Sequence, residues 1–425
     1  MRYLYTFFFY LSLPFILLRL LWRARKNPAY AARWSERFGY LPNSAPKQGI
    51  WLHAVSVGET IAAIPLVHAL REQYPTLPIV VTTTTPTGAD RVNASLKNLV
   101  THYYLPYDLP GALNRFFNTL QPQLGIIMET ELWPNLFQVC HTHKIPLFIA
   151  NARLSARSAK GYQRIARLTR DMMHNVSQMA VQTATEAQRF IQLGLDPARI
   201  TVTGSIKFDL TIPADLLEQA SQLRAQWGKE RLIWIAASTH EGEEEQILAS
   251  YSLIRKKLPQ TLLVLVPRHP DRFAKVIATC QRQGYATVLR SENKPCTTTS
   301  EIFIGDSMGE LLLFYAASDV AFVGGSLITK GGHNPLEPAA VGIPIVMGPS
   351  LFNFAAISEQ LQQAGALVTI TSPTQLAEQV LLLFQDDTRR REAGEKGRQF
   401  VIQNRGALAK HLALINQLLT TRPIL

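Results

Sequence analysis

Ionisable side chains stand directly after apolar, strand-like runs at several points of this chain. Open α/β sheets collect their ligands at the carboxyl ends of such strands. After Ile50 to Val55 comes Ser56-Val57-Gly58-Glu59, and a helix with apolar residues at Ile61, Ile64, Leu66 and Leu70 starts there. Glu59 therefore falls in the first turn, where the helix dipole favours an ionised carboxylate. It can cap the helix or accept a proton from an attacking hydroxyl. Glu129 and Glu131 follow a second run, Leu124 to Met128. Carboxylates two residues apart on an extended segment point to opposite sides, so one of the two is expected to be structural. Lys207, in Gly204 to Asp209, and Arg153 and Arg157, in Asn151 to Ser158, offer cations for an anionic ligand or simple surface charge.

A different chemistry is suggested between Ser318 and Asn353. The apolar run Val320 to Val323 stops at Gly324-Gly325, and a second pair, Gly331-Gly332, precedes Asn334-Pro335-Leu336-Glu337. Asn suits an N-cap, Pro the first helical position and Glu the first turn. Free backbone N–H groups and a helix dipole facing one point would seat a phosphate, with Glu337 placed to meet a ribose diol. An ordinary strand-to-helix turn is the other reading. Ala339-Ala340, Gly342-Ile343-Pro344 and Gly348-Pro349 add a second tight crossing that would shape a pocket. Pro267-Arg268 ends the run Leu262 to Val266 with a fork of guanidinium donors, and Met308-Gly309-Glu310 opens another helix. Neither His141 with His143 nor His240 with Glu241 and Glu243 has the HExxH spacing of a zinc site, and no Asp-x-Asp pair is present. No obligatory metal and no other cofactor is expected.

Positioning these groups requires two α/β domains. At 425 residues the chain exceeds the usual size of one core, and 47% hydrophobic content excludes disorder. The first set of strands is expected at Ile50 to Val55, Ile79 to Thr83, Leu124 to Met128, Leu147 to Ala150 and Met179 to Gln182. The second is expected at Leu232 to Ala237, Leu262 to Pro267, Glu301 to Ile304, Val320 to Val323 and Ile343 to Met347. Ahead of them, Tyr3 to Trp22 is nearly all apolar and about as long as a bilayer span requires. Arg23, Arg25, Lys26, Arg33 and Arg37 follow, so the bulk of the chain is expected on the cytoplasmic side with this cluster against anionic headgroups. Pro14 and Arg19 also permit a helix lying in the interface. The expected organisation is an anchor at 1–24, an acceptor-side domain at 25–208 and a nucleotide-sugar domain at 209–425. Three widely separated cysteines support neither a disulfide framework nor a zinc knuckle. The net charge of +12 asks for an anionic partner, but the basic residues gather beside the apolar segment and form no aromatic-interleaved stripe, which argues against nucleic acid. GxGxxG and GxxxxGK[ST] patterns do not occur, so dinucleotide and P-loop readings lose their fingerprints.

The segments His53 to Thr60, Met128 to Asn135, Asn151 to Ser158, Gly204 to Asp209, Ser238 to Glu245, Val266 to Phe273, Gly305 to Leu311 and Gly331 to Ala340 resemble the Kdo transferases of lipopolysaccharide synthesis, in that family's order and spacing. The resemblance includes the anchor and covers nearly the whole chain. It implies a GT-B glycosyltransferase with two facing Rossmann-like domains, a cleft between them and an N-terminal membrane-anchor helix. It further implies an inverting transfer of 3-deoxy-D-manno-octulosonic acid (Kdo) from CMP-Kdo to a lipid A precursor at the cell inner membrane. By the same resemblance Glu59 is the general base, while Glu129 and Lys207 stabilise the transition state. Pro267, Arg268, Met308, Gly309, Glu310, Asn334, Pro335, Leu336 and Glu337 contact CMP. A membrane-associated GT-B transferase using a UDP-sugar, a nucleic-acid binder and a membrane-tethered scaffold are the rival readings. Release of UDP instead of CMP would mark the first.

Overall fold

The computed structural model describes residues 1–25 and 27–420; Lys26 of the basic cluster and 421–425 of the expected second domain lie outside them. The chain divides into two compact units, one of Met1–Asp209 with the residues from Arg405 onward, the other of Leu210–Asn404. Each holds one sheet of seven strands.

In the first unit the strands are β1 (Ile50–His53), β2 (Ile79–Thr83), β3 (Thr101–Tyr104), β4 (Leu124–Met128), β5 (Leu147–Ala152), β6 (Gln178–Val181) and β7 (Ile200–Val202). The second has β8 (Ile233–Thr239), β9 (Leu262–Pro267), β10 (Thr287–Leu289), β11 (Ile302–Ile304), β12 (Val320–Val323), β13 (Ile345–Met347) and β14 (Leu367–Thr369). The strand orders are β3-β2-β1-β4-β5-β6-β7 and β10-β11-β9-β8-β12-β13-β14, with parallel pairing throughout. Parallel sheets are covered on both faces, so their inner strands are apolar without alternation. Successive residues nevertheless serve opposite sides. Trp51, Val80 and Ile127 join one core cluster, while Ile50, Leu52, Val81 and Ile126 join the other. The second sheet does the same with Trp234, Leu263 and Phe322 against Ile235, Val264 and Ala321.

Three differences from the sequence expectation have physical causes. The four strands not anticipated, β3, β7, β10 and β14, are the four sheet edges, and each carries partly exposed residues that interrupt the apolar run. Residues 405–420 were expected with the second domain but pack on the first unit. There Ala407 and Ile415 of the helix Ala407–Thr420 join the core beside Leu52 and Leu66. Asp209 fixes that helix start by accepting from the N–H groups of Gly406 and Leu408, both at 2.6 Å. Finally, Arg33 and Arg37 were expected at lipid headgroups and are engaged within the protein. Arg37 is 5% exposed, donates twice to the Thr84 carbonyl and lies over the Tyr104 ring. Arg33 pairs with Glu36 at 2.7 Å and donates to the His102 carbonyl.

The helix Arg2–Ala24 is long and apolar enough to cross a membrane and runs unbroken through Pro14. It leaves Tyr3, Phe7, Phe15 and Leu18 each more than 60% exposed, while Thr6 hydrogen-bonds Asn135 at 3.0 Å. Arg19, Arg23 and Arg25 are exposed on it or at its end.

Candidate functional site

In the first unit, β1 delivers the chain to Ser56, the N-cap of the helix Val57–Gln73. The Ser56 hydroxyl accepts from the Glu59 N–H at 3.4 Å and donates to the Glu59 carboxylate at 3.2 Å. Val55 N–H donates to the other carboxylate oxygen at 2.6 Å. This is a capping box that reaches one residue further back than usual. Glu59 thus does cap its helix, but the dipole does not keep it readily ionised as the sequence suggested. Burial, with smaller contributions from Glu131 and Glu129, outweighs the Val55 and Ser56 hydrogen bonds and lifts its pKa to about 7. A carboxylate with that value is poised to take or give a proton at neutral pH.

Glu129, at the end of β4, is not extended. Its φ of +56° turns the chain left-handed, which removes the argument that Glu129 and Glu131 must point apart. Both carboxylates act on Glu59. Glu129 is buried and receives the Arg153 guanidinium at 2.6 Å and the Lys207 ammonium at 3.3 Å. Glu131, pushed up by burial, accepts from the Trp133 indole at 2.9 Å. Arg157 is exposed in the helix Ala156–Gln163. Lys207 owes its place to a short 3-10 turn, Ile206–Phe208, capped by Ser205. Asn151, buried at φ +54°, accepts from the Ile206 N–H through its side chain at 3.1 Å. His411 of the returning helix accepts the Asn151 N–H at 2.8 Å. These two supporting residues were not singled out from sequence; an Asn just after a strand, where left-handed turns favour it, was the available signal.

In the second unit, the residues expected to seat a nucleotide follow the carboxyl ends of β9, β11 and β12. Arg268 follows Pro267 and donates its backbone N–H to the Thr239 carbonyl at 3.0 Å. Its charge pulls on Glu337, whose carboxyl is raised by burial and held down by Asn334 and Arg268. Asn334 donates to Glu337 at 3.1 Å and accepts from Leu336 N–H at 3.1 Å. The helix begins at Leu336 with Pro335 as its N-cap, so Asn334, the cap expected from the sequence, acts from one position before the cap observed. Met308 is 60% exposed, Gly309 has φ +88°, and Glu310 accepts from Arg290 on both oxygens, which holds it below the usual carboxylate range.

The glycine turn itself is not the open phosphate seat the sequence suggested. Glu243, fully buried, accepts from the N–H groups of Gly325 at 2.7 Å, Ser326 at 3.1 Å, Leu327 at 3.0 Å and His240 at 3.0 Å. A resident carboxylate fills the position that free amides would have given to a ligand. Gly324 lets the end of β12 lie close against β8, since a Cβ there would stand 2.6 Å from the Ser238 carbonyl oxygen. Among the described residues no group of three His, Cys, Asp or Glu side chains is placed to hold a metal ion.

Residues 32–210 match the family described as 3-deoxy-D-manno-octulosonic-acid transferase (kdotransferase), and residues 230–400 match glycosyl transferases group 1. The 3-deoxy-D-manno-octulosonic acid transferase of Haemophilus influenzae is 43% identical over 417 residues, covering 97% of this chain and 98% of that protein. The transferase of the same name from Bordetella pertussis is 33% identical, with 92% and 94% covered. Two solved structures share the fold at 13% identity. MurG of Acinetobacter baumannii has a TM-score of 0.57, and the UDP-GlcNAc 2-epimerase of Neisseria meningitidis 0.56. Each alignment covers 88% of this chain and all of the other. With its two parallel seven-stranded sheets and this similarity along nearly its whole length, the chain belongs to the 3-deoxy-D-manno-octulosonic acid (Kdo) transferase family of glycosyltransferases.

Proposed function

We propose that the protein catalyses the inverting transfer of Kdo from CMP-Kdo to a lipid A precursor, releasing CMP, in lipopolysaccharide synthesis at the inner membrane. The observation that carries this reading is the placing of Glu59, at a pKa of about 7, within electrostatic reach of the Glu129 carboxylate, which Lys207 and Arg153 hold. Glu59 takes the proton of the acceptor hydroxyl as its oxygen attacks the anomeric carbon. The bond from that carbon to the phosphate oxygen breaks, and its electron pair leaves with CMP. Lys207 and Glu129 stabilise the charge that develops. A phosphate leaving group needs no acid to protonate it, so preorganised donors suffice. On the second unit Pro267, Arg268, Met308 to Glu310 and Asn334 to Glu337 contact CMP, with Glu337 directed to the ribose. No step calls for a metal.

The helix Arg2–Ala24 holds the first unit at the membrane through its exposed apolar side chains, with the catalytic units cytoplasmic and Arg19, Arg23 and Arg25 at anionic headgroups. The test is donor choice with a detergent-dispersed lipid A precursor. CMP-Kdo should yield free CMP and a Kdo-bearing lipid, and UDP-sugars should yield neither. UDP release with no reaction of CMP-Kdo would favour the UDP-sugar reading.

A further inference from the structure

Two histidines that the reaction above does not use meet at the centre of the second sheet's carboxyl edge. His240 directly follows β8, and His333 lies in the loop after β12. Those strands are neighbours, with β9 on the far side of β8, so the pair sits at the topological switch point where such sheets take their ligands. The two Nε2 atoms are 2.8 Å apart, the ring centroids 5.0 Å apart and the ring planes within 9°. Nitrogens so much closer than centroids mean that the rings meet edge to edge, sharing one N–H between them. Each ring is held by its backbone: His240 N–H donates to Glu243, and His333 N–H to the Gly324 carbonyl at 3.0 Å. Gly325 leaves room for the His333 ring, which a Cβ would approach to 3.1 Å.

The surroundings are strongly positive. Arg268 and His269 reach the pair from the end of β9, Arg272 from the turn Pro270–Arg272, and Lys330 from the loop after β12. His269 meets the His240 ring edge-on at 5.5 Å. The carboxylates nearby are already engaged: Glu243 by four N–H groups, Glu244 by both ends of the Arg272 guanidinium, and Glu337 by Asn334. Burial and these cations keep the pair uncharged at neutral pH, with His240 lowered to about 4 and His333 to about 3. An arriving phosphate reverses the field. An opposite charge within about 4–6 Å shifts such a protonation equilibrium by about 10- to 1,000-fold.

We propose that the His240–His333 pair is a proton-linked anion latch, which takes up a proton from solvent as the CMP phosphate binds and returns it as CMP leaves. This inference rests on the assignment of CMP to the second unit. The donor phosphodiester carries one negative charge and released CMP two, so a site that gains a proton favours the side of the reaction on which the second charge has developed. The acceptor's own proton stays accounted for on Glu59.

Calorimetric titration of CMP into the full-length protein at pH 7.5, in HEPES and in Tris, reads proton uptake from the difference in heat. Up to about a quarter of a proton should be taken up per CMP at this pH, and the phosphorus NMR shift of bound CMP should remain that of the dianion. His333→Gln and His240→Gln should each abolish the uptake and weaken CMP binding about tenfold or more. Binding with no buffer dependence in the parent protein, a bound CMP monoanion, or uptake that persists in both variants would overturn the latch and leave the CMP assignment standing. Absence of CMP binding in either buffer would overturn both.

Discussion

Glu59 closes a capping box and, in the proposed reaction, removes a proton, two roles with opposite demands on its charge. The cap favours the carboxylate, while burial and two neighbouring carboxylates favour the acid. Glu59→Gln keeps an acceptor for Val55 N–H, so the fold and CMP binding should survive while turnover falls about a hundredfold or more. In the parent, kcat/KM should rise with pH through about 7 as Glu59 loses its proton, a limb the variant should lack. The sign for stability is the reverse. The folded pKa lies above the unfolded one, so the contribution of Glu59 is complete below about 4.5 and is lost as pH rises through about 7. Chemical denaturation at pH 8 should therefore find Glu59→Gln at least as stable as the parent. Glu337→Ala should weaken CMP binding and leave acceptor binding unchanged, as calorimetry can show. Glu59 was legible because Ser-x-x-Glu is a local pattern. Glu243 was not, because the amides that give it meaning lie more than 80 residues away at Gly325 to Leu327.

Elements were legible in proportion to their burial. The inner strands β1, β2, β4 and β9 are continuous apolar runs, and their expected bounds lie within two residues of those observed. The edge strands β3, β7, β10 and β14 pair on one side only and mix exposed with buried positions, so no run announces them. The helix Ala407–Thr420 shows an apolar stripe in sequence, but a stripe does not say which core it covers. That choice is made at Asp209, His411 and Asn151. Asp209→Ala removes the acceptor for two helix-start N–H groups and should cost about 1–2 kcal/mol, measured by denaturant unfolding. Gly394, in the helix Asp387–Gln403, is a comparable point in the second unit. A Cβ there would stand 1.9 Å from the Gly342 carbonyl oxygen, and Gly394→Ala should destabilise by about 1–3 kcal/mol on the same measurement.

At the scale of the molecule, the two-sheet organisation and the apolar first helix could be read from composition and length, whereas the fate of the basic cluster could not. Arg33 and Arg37 look like Arg23 and Arg25 in sequence, yet they are tied to Glu36, Thr84 and Tyr104 and hold the start of the first unit to its sheet. Removing Met1 to Ala24 should release much of the protein from membranes while preserving activity on detergent-dispersed acceptor. In the full chain, replacing Arg19, Arg23 and Arg25 with Gln should weaken binding to anionic vesicles by about 1 kcal/mol per residue at low salt, and less as salt screens the charges. The most direct test places the lipid A precursor in vesicles, adds CMP-Kdo with either the full-length protein or its Glu59→Gln variant, and follows the recovered lipid by mass spectrometry. The parent should convert the lipid to a Kdo-bearing product with one CMP released per Kdo added, and the variant should do so at about a hundredth of the rate or less. Unmodified lipid with the parent, or conversion by the variant at the parent's rate, would contradict the account.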